Sequence, residues 1–256
     1  MGRNMSKYVW VFLSMGLTLS LVGCGDDVSS GGGGSAGSGG TAGSGGTAGS
    51  GGTGGASTAT VSGIVYAATE GDSVTFAGAT VSIPGTSFST TSGPDGSFSI
   101  EAPIGTTTIL ATATGHWGDL QAGVVPAGGG SGVELEVLPD ALVGQVAGAL
   151  GETADPSKGL VAVIYDEDVA VGGETADLGV SYGFAFVFDA GDGDPVESNM
   201  LVAGGGTEVI FANVDVSADV MPSATDASDQ DCSFEFPDAV YPSQAKVLTE
   251  IAMACP

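Results

Sequence analysis

The side chains with the most capacity for chemistry in this sequence are carboxylates in its C-terminal half. Two short stretches hold them at close spacing: DAGDGDPVE, with Asp189, Asp192, Asp194 and Glu197, and YDED, with Asp166, Glu167 and Asp168. Carboxylates are hard oxygen ligands of the kind that calcium uses. The spacing does not match an EF-hand loop, so these residues are weak calcium candidates. We expect most carboxylates to form a solvated surface and predict no other metal or cofactor.

A serine nucleophile is the second chemistry to consider. Gly179-Val180-Ser181-Tyr182-Gly183 spells G-x-S-x-G, the nucleophile elbow of α/β-hydrolases. That turn must lead into a helix, whereas the following FAFVFD has the composition of a strand. The base should also follow the serine in the chain, but the single histidine, His116, precedes it. We therefore predict no catalytic serine.

His116 is also unsuited to a catalytic zinc site. Such a site typically has three protein ligands, and the sequence contains no second histidine. We expect His116 and Trp117 to lie at a strand end instead. Paired carboxylates for glycoside hydrolysis stay open as an alternative, although nothing singles out one pair. No catalytic residue is assigned, and the chain is predicted not to be an enzyme.

Residues 1–23 have the layout of a secretory leader. Arg3 and Lys7 precede an apolar run from Tyr8 to Val22, which ends at Gly23 and Cys24. The run is short for a membrane-spanning helix, which needs about 20 residues. A cleaved leader is therefore the favoured interpretation.

The end of this leader, Leu21-Val22-Gly23-Cys24, resembles the lipobox of bacterial lipoproteins. The resemblance implies lipidation of Cys24, cleavage before it, and attachment to a membrane of the bacterial cell envelope. Several acyl chains on one residue give stable attachment where a single chain gives marginal binding. An ordinary signal peptide with an incidental cysteine is the alternative.

The charge balance excludes some partners. The sequence has 30 acidic residues against 4 lysines and arginines, a formal net charge of −26. Arg3 and Lys7 lie in the leader, so Lys158 and Lys246 are the basic residues left after it. Nucleic acids and anionic lipid headgroups are attracted by basic residues, so neither is an expected partner.

Residues 24–59 are predicted to be a flexible linker. Gly, Ser, Thr and Ala dominate the tract, and GGTAGS at 39–44 recurs at 45–50. Such a sequence cannot bury enough apolar surface to fold. Flexible-chain scaling gives an end-to-end distance of roughly 30 to 35 Å for residues 25–59. This segment would hold a folded body away from a membrane.

Residues 60–139 alternate apolar and polar residues in short runs, which is typical of antiparallel strands. The residues predicted to face a common core are Ala79, Val81, Ile83, Phe98, Ile100, Ile109, Ala111, Ala113, Val133, Leu135 and Val137. Glu134 and Glu136 alternate with the last three and are assigned to the opposite face. Pro94-Asp95-Gly96 predicts a turn. Strands at this spacing favour a β-sandwich.

The series AGATVSIPGTSFSTTSGPDGSFSIEAPIGTTTILATATGH resembles a carboxypeptidase regulatory-like domain, a transthyretin-like sandwich of about seven strands. The matching positions are Gly63, Ala77 to Val81, Asp95, Gly96, Phe98, Pro103, Gly105 and Gly115. The resemblance implies a non-catalytic module of exported proteins. Related pilus sandwiches often carry a Lys to Asn isopeptide crosslink, which residues 60–139 cannot form because they contain no lysine.

Residues 140–256 are predicted to form a second, more acidic β-sandwich-like domain that begins with a short helix near 140–150. Leu142, Val143, Val146 and Leu150 recur at helical spacing. Asp140 is placed to cap the helix start and Gly151 its end. The later runs LVAVIYD, YGFAFVFD, TEVIFANV and AKVLTEIAMA are predicted to be strands. The fold class is therefore all-β, with two tandem antiparallel β-sandwich domains.

Cys232 and Cys255 are the cysteines left once Cys24 is assigned to lipidation. In an oxidising compartment this pair is expected to form a disulfide, with two free buried thiols as the alternative. Together these features predict a non-catalytic cell-envelope lipoprotein that presents β-sandwich modules to an unknown protein or carbohydrate ligand. A calcium-dependent adhesin or glycan-binding protein is the alternative, and a carboxylate-based glycosidase is a weaker one.

Overall fold

A computed structural model describes residues 57–69, 73–166, 170–191 and 193–256. The predicted signal peptide, Cys24 and nearly all of the predicted linker lie outside the described residues. The described strands are β1 (Thr58–Ala68), β2 (Ser73–Thr75), β3 (Thr80–Ser82), β4 (Ser89–Thr91), β5 (Ser97–Pro103), β6 (Gly105–Thr112), β7 (His116–Val125), β8 (Gly130–Pro139), β9 (Gly159–Tyr165), β10 (Thr175–Asp177), β11 (Phe184–Phe188), β12 (Pro195–Glu197), β13 (Glu208–Val214), β14 (Ser223–Thr225), β15 (Ser233–Phe234) and β16 (Val247–Ala254). The helix α1 spans Asp140–Ala149. The chain is thus an all-β protein with one short described helix, as predicted.

The strands of residues 58–139 bury the residues that alternation assigned to the core. Val81 and Leu135 have no exposed surface, and Phe98 and Ile100 are each 5% exposed. Gly96 has a φ of 78°, which fits the predicted turn because glycine adopts this conformation without steric cost. The predicted core face of this half is confirmed.

The C-terminal strand β16 lies in the middle of the sheet and joins the two halves of the described chain. It pairs in parallel with β9 on one side and with β7 on the other. The path through the sheet runs β12-β11-β13-β9-β16-β7-β6-β3-β4, so strands from both sides of residue 139 share one sheet. A strand that is covered on both faces typically has a nearly continuous apolar sequence, and the β16 sequence VLTEIAMA fits this pattern.

The prediction of purely antiparallel pairing is wrong at three places. Besides the two pairings of β16, β1 pairs in parallel with β8. Parallel neighbours need long crossover connections, and the segments between these strands along the chain are long enough to supply them. Alternation within a strand is the same for both pairings, so the sequence pattern does not distinguish them.

Helix α1 lies over an apolar cluster on one face of the sheet, which we call the helix-side core. Its sheet residues include Leu160, Phe184, Phe186, Phe188 and Leu248, and the helix adds Val143 and Ala147. Gly151, with a φ of 77°, follows the helix as predicted.

The predicted cap at Asp140 is wrong. Pro139 occupies the N-cap position and no side chain caps the helix, while Asp140 is the first helical residue. Its carboxylate accepts a hydrogen bond from Lys246 Nζ at 2.9 Å instead. No helix in the described ranges is long and apolar enough to cross a membrane.

Candidate functional site: a buried carboxylate cluster

Four acidic side chains on four different strands form the most unusual feature of the described body. Asp119 comes from β7, Glu136 from β8, Glu208 from β13 and Glu250 from β16. Asp119 has no exposed surface, whereas Glu208 and Glu136 are 6% and 7% exposed. Glu250 keeps somewhat more exposed surface. We call these four residues the carboxylate cluster.

The strand registers explain why these residues meet. In the parallel pair of β16 and β7, Leu248 lies opposite Asp119, so Glu250 projects from the same face two residues further on. On β9, Leu160 lies opposite Leu248 and Ala162 opposite Glu250. The cluster therefore continues the sheet face that carries the helix-side core.

Hydrogen bonds satisfy only part of the Asp119 carboxylate. Its Oδ2 accepts a hydrogen bond from the Glu136 backbone N–H at 2.8 Å and another from Gln121 Nε2 at 2.9 Å. Its Oδ1 is buried and has no hydrogen-bond partner. The Ser73 hydroxyl donates to Oε1 of Glu136. An unpartnered buried carboxylate oxygen is costly, and the cost is greater when the group is ionised.

Burial raises the pKa of every member of the cluster. It raises the pKa of Asp119 well above its ordinary value, and the Glu250 charge adds to this effect. It likewise raises the pKa of Glu208, with smaller contributions from Glu250 and Glu136. The pKa of Glu136 rises to about 7 despite the Ser73 hydrogen bond. Burial followed by the Glu136 charge raises the pKa of Glu250 to about 7.

Basic side chains do not balance this cluster. Lys158 forms an ion pair with Asp215, and Lys246 forms one with Asp140. These are the two lysines among the described residues, which contain no arginine. Burial, the leading cause of each pKa increase, shifts every member of the cluster toward its protonated, neutral form.

The described ranges contain no group of three or more His, Cys, Asp or Glu side chains arranged to hold a metal ion. Because burial raises the pKa of each member, the chemistry that the carboxylate cluster supports is the uptake and release of protons inside the sheet.

The predicted calcium candidates are only partly brought together. Asp189 Oδ1 accepts hydrogen bonds from the backbone N–H groups of Gly193 at 2.8 Å and Asp194 at 3.2 Å, which closes the turn between β11 and β12. Asp192 lies outside the described residues. Glu197 ends β12 and is exposed. Calcium binding by these residues stays a prediction.

The predicted disulfide is confirmed. Cys232 and Cys255 are bonded, with their Cα atoms 4.3 Å apart, and the bond joins the end of the chain to the segment before β15. It lies beside β16, since β15 pairs with that strand. The link therefore fixes the strand that joins the two halves.

The structure confirms the predicted strand after the G-x-S-x-G stretch. Ser181 precedes β11, so the G-x-S-x-G stretch leads into a strand and not a helix. His116 begins β7, where its Nδ1 lies 3.0 Å from the Thr114 carbonyl oxygen. Its ring packs edge-on against Phe76 at 4.7 Å between centroids. The prediction that His116 and Trp117 lie at a strand end is confirmed.

Sequence reasoning missed the carboxylate cluster. Glu208 and Glu250 each stand in or beside an apolar run, in TEVIFANV and VLTEIAMA. A carboxylate in a run that is apolar on both faces is a signal of a buried acid, because such strands are covered on both sides. Glu136 carries no such signal, since it alternates with core residues in the manner of an exposed side chain.

No family profile matches the sequence, and no curated protein does. Solved structures with some similarity include the Bacillus anthracis TIE protein, at 9% identity and a TM-score of 0.25, covering 76% of this chain and 33% of that one. The shaft pilin SpaA from Lactobacillus rhamnosus GG has 11% identity and a TM-score of 0.22, covering 77% and 98% of the two chains. The minor pilin GBS52 from Streptococcus agalactiae has 8% identity and a TM-score of 0.20, covering 76% and 96%. This chain thus spans about a third of the TIE protein. Scores of this size carry no argument about function.

Proposed function

We propose that this protein is a non-catalytic lipoprotein of the bacterial cell envelope, held to a membrane through acylated Cys24. The observation that carries the proposal is Leu21-Val22-Gly23-Cys24 at the end of an apolar leader. A long Gly-rich tract separates this motif from the first strand, which begins at Thr58. The folded part would thus be displayed at the end of a tether of roughly 30 to 35 Å.

The body is suited to presentation because a large sheet and the Cys232–Cys255 disulfide hold its two halves together. Strand β16 bridges β7 and β9, and the Cys232–Cys255 bond fixes the end of that strand. Asp119, in the interior of the body, is fully buried. A general acid or base must reach a substrate within hydrogen-bond distance, and a fully buried carboxylate does not.

Metabolic labelling with radioactive palmitate tests the anchor. The wild-type chain should incorporate label and fractionate with membranes, and Cys24→Ala should do neither. Cys232→Ala is the matched control, because it removes a cysteine outside the lipobox and should leave labelling intact. Labelling of Cys24→Ala at the wild-type level would refute the proposal.

A calcium-dependent adhesin or glycan-binding protein is the second candidate. Two observations support this role: the Asp189 carboxylate closes a turn, and the sequence has 30 acidic residues against 4 lysines and arginines. Calorimetric titration with calcium should give heat and raise the melting temperature if this role holds. A glycan array run beside a hydrolysis screen separates binding from the carboxylate-based glycosidase, since turnover of any glycan would favour the enzyme.

A further inference from the structure

A cleft outside the carboxylate cluster runs between α1 and the turn that joins β11 to β12. Its volume is about 280 Å³. The lining residues that matter here are Leu142, Gln145 and Val146 of the helix, Phe188 of β11, and Asp194 before β12. Ligand pockets usually have volumes of about 300 to 1,000 Å³, so the cleft suits a slender ligand.

A smaller cavity adjoins the cleft beneath the helix. This second cavity, of about 40 Å³, lies between α1 and the sheet, and it shares Leu142, Val146 and Phe188 with the cleft. Apart from Thr69, its lining is entirely apolar and includes Phe184 and Phe186. The two cavities are thus neighbours with shared apolar walls, and the polar lining residues Gln145 and Asp194 belong to the outer cleft.

The outer cleft carries an acceptor that lacks a donor. Asp194 Oδ1 is buried and has no hydrogen-bond partner. A buried acceptor without a partner carries a desolvation penalty that a donor from a ligand would offset. The lining residues include no basic side chain. A positively charged donor would therefore meet no repulsion there and would be attracted by the net charge of −26.

The helix that covers this space has a low intrinsic helix stability. Gly144 and Gly148 lie within α1, and a Cβ atom at either position would meet nothing within 4 Å. Glycine lowers helix stability by about 1 kcal/mol relative to alanine. The start of α1 has no side-chain cap and is tied down by the Asp140–Lys246 ion pair. A small outward shift of α1 would enlarge the inner cavity without breaking the sheet.

We propose that this space binds a linear amphiphile, with its alkyl chain beneath α1 against the phenylalanines and a cationic amine head beside Asp194. Amphiphile binding does not depend on lipidation at Cys24. A result that refutes one of these two proposals therefore does not refute the other.

Calorimetry with dodecylamine and dodecanoic acid, both below their micelle concentrations, tests this assignment. The chain from Gly25 to Pro256 is suitable because it keeps every described residue and needs no detergent, which would compete for the site. Trp117 is its single tryptophan and belongs to the helix-side core, so its fluorescence gives a second readout. We expect one dodecylamine per chain, bound about tenfold more tightly than dodecanoate.

Two variants test where the amine head and the alkyl chain of the amphiphile bind. Asp194→Asn should reduce the preference for the amine to about twofold or less, since the charge-assisted hydrogen bond is lost. Asp238→Asn, at an exposed position, is the matched control and should keep the preference. Val146→Phe should weaken both probes, because the larger side chain fills the junction of the two cavities.

Several results would overturn the proposal. They are no binding of dodecylamine, equal binding of the two probes to the wild type, an unchanged preference in Asp194→Asn, and unchanged binding in Val146→Phe. Thermal melting of each variant without ligand shows whether it is folded. If Asp194→Asn is unfolded, the salt dependence of dodecylamine binding to the wild type tests the charged contact instead. Binding that does not weaken as the salt concentration rises would contradict that contact.

Discussion

Glu136→Gln should stabilise this protein at pH 8 and have little effect at pH 4.5. In the folded chain burial raises the pKa of Glu136 from 4.5 to about 7. The folded state therefore binds a proton more tightly than the unfolded state does. The stability that this group contributes is fully present below about pH 4.5 and is lost as the pH rises through 7. Glutamine is neutral at every pH, and its Oε1 can still accept the Ser73 hydrogen bond.

The size of the effect follows from the pKa increase. A rise from 4.5 to about 7 corresponds to a free energy of about 3 kcal/mol, at about 1.4 kcal/mol per pKa unit. The other buried carboxyl groups facing Glu136 are Asp119, Glu208 and Glu250, and their pKa values are raised in the same direction. The four groups interact, so their contributions will not add simply. For a body of this size, about 3 kcal/mol corresponds to about 6 to 12 °C in melting temperature.

Urea unfolding at a series of pH values from 4.5 to 8.5 measures this effect, with Trp117 fluorescence as the signal. Wild-type stability should fall across the range, and the Glu136→Gln profile should be flatter. Glu134→Gln is the control, since Glu134 lies two residues earlier on the same face of β8 and is less buried. It removes the same charge and so accounts for general repulsion among the many carboxylates.

Two outcomes would refute this reasoning. Wild-type stability that rises between pH 5 and pH 7.5 would mean that the cluster favours its ionised form in the folded state. Equal flattening by Glu134→Gln and Glu136→Gln would mean that the net charge of the protein, and not burial of Glu136, determines the profile.

Two further predictions concern close packing and the disulfide. Gly63→Ala should destabilise the fold by at least about 1 to 3 kcal/mol, because its Cβ atom would lie 1.9 Å from the Val133 carbonyl oxygen. Gly123→Ala has nothing within 4 Å of the new atom and should change little, so equal melting temperatures for the two variants would contradict this account. The double variant Cys232→Ser, Cys255→Ser should lose about 3 kcal/mol in urea unfolding. A reducing agent should destabilise the wild type and leave that variant unchanged, and a wild type that does not respond would contradict the role of the bond.

The local pattern of the sequence predicts much of the N-terminal half. Alternation identifies the buried positions from Val81 to Val137, and the turn at Gly96 follows from its residue types. Helix α1 is predicted from its spacing and from Gly151. These features depend on neighbours in sequence, because side-chain direction repeats with a period of two in a strand and about 3.6 in a helix.

The carboxylate cluster depends on which strands become neighbours, which alternation does not encode. Alternation assigns Glu136 to the face opposite the N-terminal core but does not say whether another part of the chain covers that face. Glu250 approaches Asp119 because β16 inserts between β7 and β9.

The sequence by itself determined the expected attachment motif at Cys24, the pairing of the two remaining cysteines, the all-β class and the faces of the strands. Only the tertiary structure decided that the final strand joins the two halves and that four acids share one buried face. The physical reason is that strand periodicity and residue type act locally, whereas burial of a charge depends on which distant parts of the chain pack together, as β16 does beside β7.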